Sequence, residues 1–474
     1  MRRRLYETQS QTKKQQLALK FAGFQQFTVD LAVQSGDVVQ ALECAEAGKN
    51  ACLSWILGDE SEISPTWEEM KQLVNNYSAI VYWHLSPAAL HTFILKHDSP
   101  SPICDNKCRD VAVQSIDVAM LRLYKFENWL KQWNEQYANY RKGKNDNSQD
   151  EVKDWRENLP ELLKELSTIL DIPSIISQIT NNSIQNLILV PHRDLHRFPL
   201  HALFPDNFII SYLPSAKIGL NQSKLPQWNY SYNDSQIKLL SVEHPPSNGL
   251  ELLEFAEVES EAITRMFPNC TRIRSQQATQ NAVESALANN HSIFHFTGHA
   301  GYNFHNPALS ELKLTAEDKI TLENICKLDL SSYQLVTLAA CETAITGNHT
   351  ITSEYVGLTS GFIGCGVARV VSTLWTVESA ASALVMIEFY QGLQQGKSEA
   401  VALAEATHWL RNVTVSELEK WYSSQIAKIP ENQSILRRFL QRQKTKIATE
   451  FESSKTPYSH PYYWAAFTIT GNLS

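Results

Sequence analysis

An α/β fold built on a mostly parallel sheet flanked by helices is predicted by three observations. Downstream of residue 181, short runs rich in β-branched and apolar residues alternate with helical segments. The runs are continuously apolar, which suits strands covered on both faces. The chain of 474 residues, 43% of them hydrophobic, is long enough for one or two substantial cores.

Three regions follow in order. Residues 1–75 read as a small helical region. From Gln16 to Leu57 apolar residues recur three and four apart, with Gly36-Asp37 and Gly48 as punctuation. The "GDVVQALECAEAGKNACL" part has the small-residue spacing of a tetratricopeptide-type repeat, yet only about one unit is present, and a solenoid needs about three. This piece must therefore lean on the rest of the chain or on another protein. Residues 76–180 hold a hairpin, "YSAIVYWHL" and "ALHTFILKH" around Ser86-Pro87, then a long amphipathic helix over 112–142, a polar loop over 143–153 and a helix over 155–170. Residues 181–474 carry strands at 186–191, 237–242, 292–298, 333–341, 368–375 and 464–470. Helices at 255–267, 278–288, 354–364, 378–394 and 398–411 separate them, and a charged helical insert occupies about 413–456.

The bulk numbers narrow the function classes. Lys and Arg total 42 against 50 Asp and Glu, a formal charge of −8, so no phosphate-neutralising surface and no direct nucleic-acid partner is expected. The eight cysteines (44, 52, 104, 108, 270, 326, 341, 365) lie mostly within apolar runs, a distribution unlike a disulfide framework. A cytoplasmic, reducing setting is expected. "MRRRLYETQSQTKKQQ" lacks an apolar signal core and no stretch approaches ~18 uninterrupted apolar residues, so neither secretion nor membrane spanning is expected.

Two strand ends carry the chemistry. Gly298-His299 closes one predicted strand and Cys341 the next, and successive strands of a parallel sheet commonly lie side by side. An imidazole and a thiol would then meet in the crevice at the carboxyl ends, where such sheets bind ligands. A thiol with a pKa near ~8.5 is only slightly ionised at neutral pH, and an adjacent histidine activates it and can protonate a leaving amine. The slim neighbours in "TGHAG" and "AACETA" admit a substrate backbone, and the amides of Ala300 and Cys341 are candidate oxyanion donors. Taken singly, Cys341 reads equally as a small core residue and His299 as a strand-end histidine.

Rival readings are weaker. His295-x-x-x-His299 matches metal-ligand spacing on a helix, but in a strand four residues span ~13 Å, too far for one zinc. His295 shares a face with His299 and reads as a hydrogen-bonded neighbour. Cys104-x-x-x-Cys108 has no second ligand pair nearby. "GFIGCG" (361–366) ends a helix and enters a strand, the reverse of a dinucleotide loop, and no phosphate-binding lysine loop occurs. No metal or other cofactor is expected.

"HFTGHAGY", then "LAACETA", "GLTSGFIGCGVARVVSTLWTV" and "HPYYWAAFTITG", together with "LILVPHRDLHRFPLHALF" and "ISYLPSA", resemble the CHAT family of caspase-like cysteine peptidases, related to separase and often joined to tetratricopeptide repeats. The resemblance covers roughly 184–474. It implies a caspase-like fold, a cysteine endopeptidase acting on a protein substrate, and a catalytic dyad of His299 and Cys341. It also implies substrate-binding roles for Trp375, Thr376 and Glu378, beside the peptide backbone, and for Asp194, in the primary specificity pocket. Many relatives have glycine where Ala300 stands, which leaves less room here. In relatives the repeat array receives an activating partner, which implies regulation by a protein bound at the N-terminal helices or the insert. Relatives serve in prokaryotic defence and in regulated development. A catalytically silent caspase-like scaffold is the alternative.

Overall fold

The computed structural model describes residues 26–57, 64–104, 115–143, 155–180, 184–225, 231–243, 245–246, 253–303, 307–343 and 357–472. Among them, thirteen strands form one mixed sheet. They are β1 (Ser78–Leu85), β2 (Leu90–Lys96), β3 (Ile103–Cys104), β4 (Asn186–Val190), β5 (Ile209–Tyr212), β6 (Lys238–Glu243) and β7 (Asn269–Arg274), followed by β8 (Ile293–Gly301), β9 (Glu311–Lys313), β10 (Lys319–Thr321), β11 (Leu335–Thr343), β12 (Arg369–Thr373) and β13 (Phe467–Thr470).

The sheet consists of two parallel blocks running in opposite directions. β7, β6, β8, β11 and β12 form the first block. β13, β5, β4 and β1 form the second. They join where β12 pairs antiparallel with β13, Val370 opposite Thr470 and Thr373 opposite Phe467. The two blocks therefore present their carboxyl ends at opposite edges of the sheet. The predicted hairpin is β1–β2, and it continues the second block. Antiparallel β9 and β10 extend the sheet from the far end of β8.

Apolar runs form these strands because both faces are covered. Every residue of β1 is buried. One face of the sheet carries a single core shared by both blocks, in which Trp83, Leu187, Leu239, Ile293, Leu335 and Val371 pack under helices. The opposite face is split. Phe294, Val336 and Val370 form one cluster in the first block, and Ile80, Tyr82 and Ile188 form another in the second. The latter receives the N-terminal helices, residues 26–34 and Val38–Leu57, through Val29, Ala41, Leu42 and Ala45. The described residues hold this one helix pair and no second repeat unit, so a tetratricopeptide array is not evident among them.

Several boundaries differ from expectation. The last strand begins at Phe467 because Pro461–Trp464 form a short helix, with His460 Nδ1 accepting from the Tyr462 amide. β3, β5, β7, β9 and β10 were not anticipated, nor were the helices Ile172–Ile179 and Ala216–Gln222. The insert is a helical hairpin, Val415–Lys428 and Ser434–Glu450, opened by a capping box between Thr414 and Glu417. The polar loop, Cys108 and the segment 345–354 lie outside the described residues.

Candidate active site

β8 and β11 are adjacent parallel strands in continuous register, from Ile293 opposite Leu335 to Gly301 opposite Thr343. His299 is thereby the register partner of Cys341. Neighbouring strands lie about 4.8 Å apart, so the two backbones stand side by side close to the carboxyl ends of the first block. β9 and β10 intervene in sequence but not in space, because they pair on the other side of β8. His299 is half-buried. The side chain of Cys341 lies outside the described residues.

The strand is irregular just before the cysteine. Thr337 pairs with Val371 while Cys341 pairs with Thr373, so β11 carries two more residues than β12 over this span. A bulge of this kind bends a strand and re-aims the residues that follow. Ala300 has β11 on one side and β9 on the other, opposite Glu342 and Leu312. Its peptide N–H accordingly lies in the plane of the sheet facing a paired strand. The expected oxyanion role thus requires that amide to leave its ladder.

Beneath the pair lies a buried polar network. His295 is opposite Thr337, four residues below the His299 level. His295 Nδ1 is 2.7 Å from Thr337 Oγ1, and Nε2 is 2.9 Å from Thr297 Oγ1 and 3.2 Å from Glu259 Oε1. Thr297 donates to Glu259 Oε1 at 2.9 Å, and Tyr390 Oη is 2.7 Å from Thr337 Oγ1. Counting donors gives a consistent relay: Tyr390 to Thr337 to Nδ1, and Nε2–H to Thr297 to Glu259. Burial holds the Tyr390 phenol far above its usual range, so it stays a donor. Both His295 ring nitrogens are engaged in this network. Glu259, Thr297, Thr337 and Tyr390 were not singled out from the sequence. The period of two along each strand already placed 295, 297 and 299 on one face.

Residues 160–472 match the CHAT domain. The chain belongs to the CHAT domain family. The matched span covers every strand from β4 to β13, while β1 to β3 precede it yet pair into the same sheet. Among solved structures, the chain is similar to the Arg-specific cysteine proteinase gingipain R (RgpB), at 10% identity and a TM-score of 0.39, over 64% of this chain and 66% of that one. It is also similar to the Saccharomyces cerevisiae separase–securin complex, at 11% identity and a TM-score of 0.49, over 92% of this chain and 34% of that one. The chain thus spans just under two thirds of the gingipain chain and about a third of the other. No curated protein sequence matches it.

Within the CHAT domain the remaining candidates separate. Trp375 is 2% exposed, donates from Nε1 to Tyr462 O at 2.9 Å and packs edge-to-face on Trp155. The Thr376 carbonyl accepts from Tyr462 Oη at 2.9 Å, and exposed Glu378 precedes the helix Ser379–Gln394. All three follow β12 on the edge where Cys341 lies. Asp194 does not. Its turn, Arg193–Arg197, leaves the carboxyl end of β4, at the opposite edge and four strands from β11. Its Oδ1 is also 2.7 Å from Arg197 Nη1. Strand direction thus places Asp194 away from His299 and Cys341, and its carboxylate pairs with Arg197.

Proposed function

We propose that the chain is a cysteine endopeptidase that cleaves a protein substrate through Cys341 and His299. The observation that carries this reading is the register pairing of the two residues at the carboxyl ends of adjacent parallel strands, and membership of the CHAT domain family supports it. His299 takes the thiol proton as Sγ attacks the scissile carbonyl carbon. The tetrahedral adduct collapses, the C–N bond breaks, and the imidazolium protonates the leaving amine. Water, deprotonated by His299, then opens the thioester and releases the carboxylate. The amides of Cys341 and Ala300 are the oxyanion donors once a substrate displaces their ladder partners.

A regulatory protein partner belongs to the same reading. Phe27 and Leu31, one turn apart on the N-terminal helix, are 50% and 64% exposed and offer it an apolar handle. Among the described residues no helix is long and apolar enough to cross a membrane, and a cytoplasmic setting keeps the Cys341 thiol reduced. The paired strands on both sides of residues 299–301 favour a second reading, a silent scaffold whose dyad never opens.

A peptide carrying an electrophile at the scissile position separates the two. Covalent labelling of the chain that disappears in Cys341→Ala and falls sharply in His299→Ala supports the peptidase. Labelling that persists in Cys341→Ala, or its absence with every candidate partner, leaves the scaffold.

A further inference from the structure

The level of His299 continues across the sheet on the side away from β11. His299 is the register partner of Lys313 on β9, and Lys313 is the register partner of Lys319 on β10. One row therefore reads Cys341, His299, Lys313, Lys319. Opposed residues of antiparallel strands share a sheet face. The alternating residues Ala300, Leu312 and Ile320 are buried in the core on the other face, so His299 and both lysines stand together on the face away from it. Glu311, opposite Gly301, brackets the lysines: Lys313 Nζ pairs with Oε1, and Lys319 Nζ is 2.8 Å from Oε2. The lysine side chains are 38% and 51% exposed against 14% for Glu311, so it is the ammonium groups that face solvent.

We propose that Lys313 and Lys319 set specificity on the leaving-group side of the cut, selecting protein substrates with Asp or Glu at the second or third residue after the scissile bond. The inference rests on the peptidase reading above. In that reading the scissile carbonyl carbon goes to Cys341 and the leaving amine to His299. The segment released as the amine accordingly runs from β11 past β8 and on toward β9 and β10. Neighbouring strands lie about 4.8 Å apart, which puts β9 about 5 Å and β10 about 10 Å beyond β8, and an extended chain advances about 3.3 Å per residue. Its second and third residues therefore pass the lysines, whose flexible four-carbon stems carry the charge to them. Each ammonium has three N–H donors and Glu311 engages one charge between the two, so this row keeps one net positive charge and spare donors. A substrate carboxylate satisfies both, while a basic residue in the same place is repelled.

The test incubates the full chain with a proteome-derived peptide library whose amines are blocked, and reads the new amino termini by mass spectrometry, with Cys341→Ala as control. The expected result is cleavage that needs Cys341, with Asp and Glu enriched at the second or third residue of the amine-side fragments. Two peptides built on a recovered site, one with Asp and one with Asn at that residue, should differ about three- to fivefold in kcat/KM, the worth of an exposed ion pair. That ratio should fall toward one at high salt and in the double variant Lys313→Gln/Lys319→Gln. Either single variant should lower it, which keeps the test open should the double variant misfold, and circular dichroism checks each protein. Cys341-dependent cleavage without acidic enrichment, or an Asp-to-Asn ratio unmoved by the lysine substitutions, overturns this inference and leaves the peptidase reading standing. Absent cleavage, or cleavage that survives Cys341→Ala, defeats the peptidase reading and this inference with it.

Discussion

Gly298 controls how His299 leaves its strand. A Cβ at this position would stand 2.8 Å from Phe296 Cζ and 3.2 Å from Pro245 Cδ, and Phe296 is fully buried. Gly298→Ala must therefore displace a ring that has no free space. The expected cost is about 1–3 kcal/mol, read from the urea midpoint, together with weaker electrophile labelling because the next residue is the proposed base. Unchanged stability and labelling would refute this steric reading. His295 makes a second case. His295→Leu removes both ring nitrogens and leaves the Glu259 carboxylate, 2% exposed, with Thr297 as its remaining network partner. A loss of about 3 kcal/mol is expected in the same measurement, and a loss below about 1 kcal/mol would show that the relay contributes little. His299 and Cys341 were legible because each ends an apolar run amid small residues. Glu259 and Tyr390 were not, since they sit on helices whose buried side is decided by packing and not by strand period.

At the level of elements, the insert has a structural purpose that its charge concealed. Its hairpin packs on the helix Ala256–Thr264, which also carries Glu259, through fully buried Leu440 and the edge-to-face contact of Phe439 with Phe255, at the start of that helix. Leu440→Ala should cost about 2–4 kcal/mol while leaving electrophile labelling of the folded protein intact. Glu261 links three elements. Burial alone would raise its carboxyl, but hydrogen bonds from Arg272 on β7, Gln433 in the insert and Arg265 outweigh it and hold the pKa at about 2. The folded value lies below the ordinary 4.5, so this stabilisation is complete above that pH and is lost as the pH falls toward 2. Glu261→Gln should flatten that part of the stability profile in urea titrations run at successive pH values. An acid limb identical to the parent would remove Glu261 from the account. β7, "NCTRIR", escaped notice because an edge strand half open to solvent lacks the apolar run that marked β8 and β11. β9 and β10 are three residues each, too short for any period to show.

For the whole molecule, the decisive feature is the reversal between β12 and β13. Local pattern cannot reveal it, because the direction of β13 depends on a path through the insert. The join continues narrowly into the second block: β13 meets β5 through Thr470 opposite Tyr212, supported by the Gly471 amide donating to Tyr212 O at 2.9 Å. Side chains must hold what so short a ladder does not. Trp155 bridges the blocks, with ring centroids 5.3 Å from Trp133 and 4.7 Å from Tyr137 on one side, and 5.6 Å from Trp375 and 6.4 Å from Tyr462 on the other. Arg156 adds a cation over the Tyr462 ring at 4.1 Å. Trp155→Ala should therefore cost about 3–5 kcal/mol. Trp155→Phe should cost about 1 kcal/mol, since it keeps the ring contacts and the lost indole N–H has no hydrogen-bond partner. Hydrogen exchange distinguishes a seam from a general core contact. In Trp155→Ala the amides of β5 and β13 should lose protection first, while β8 and β11, each paired on both sides, keep theirs. Equal acceleration in all four strands would mean that the two blocks open as one unit and that Trp155 is not a seam between them.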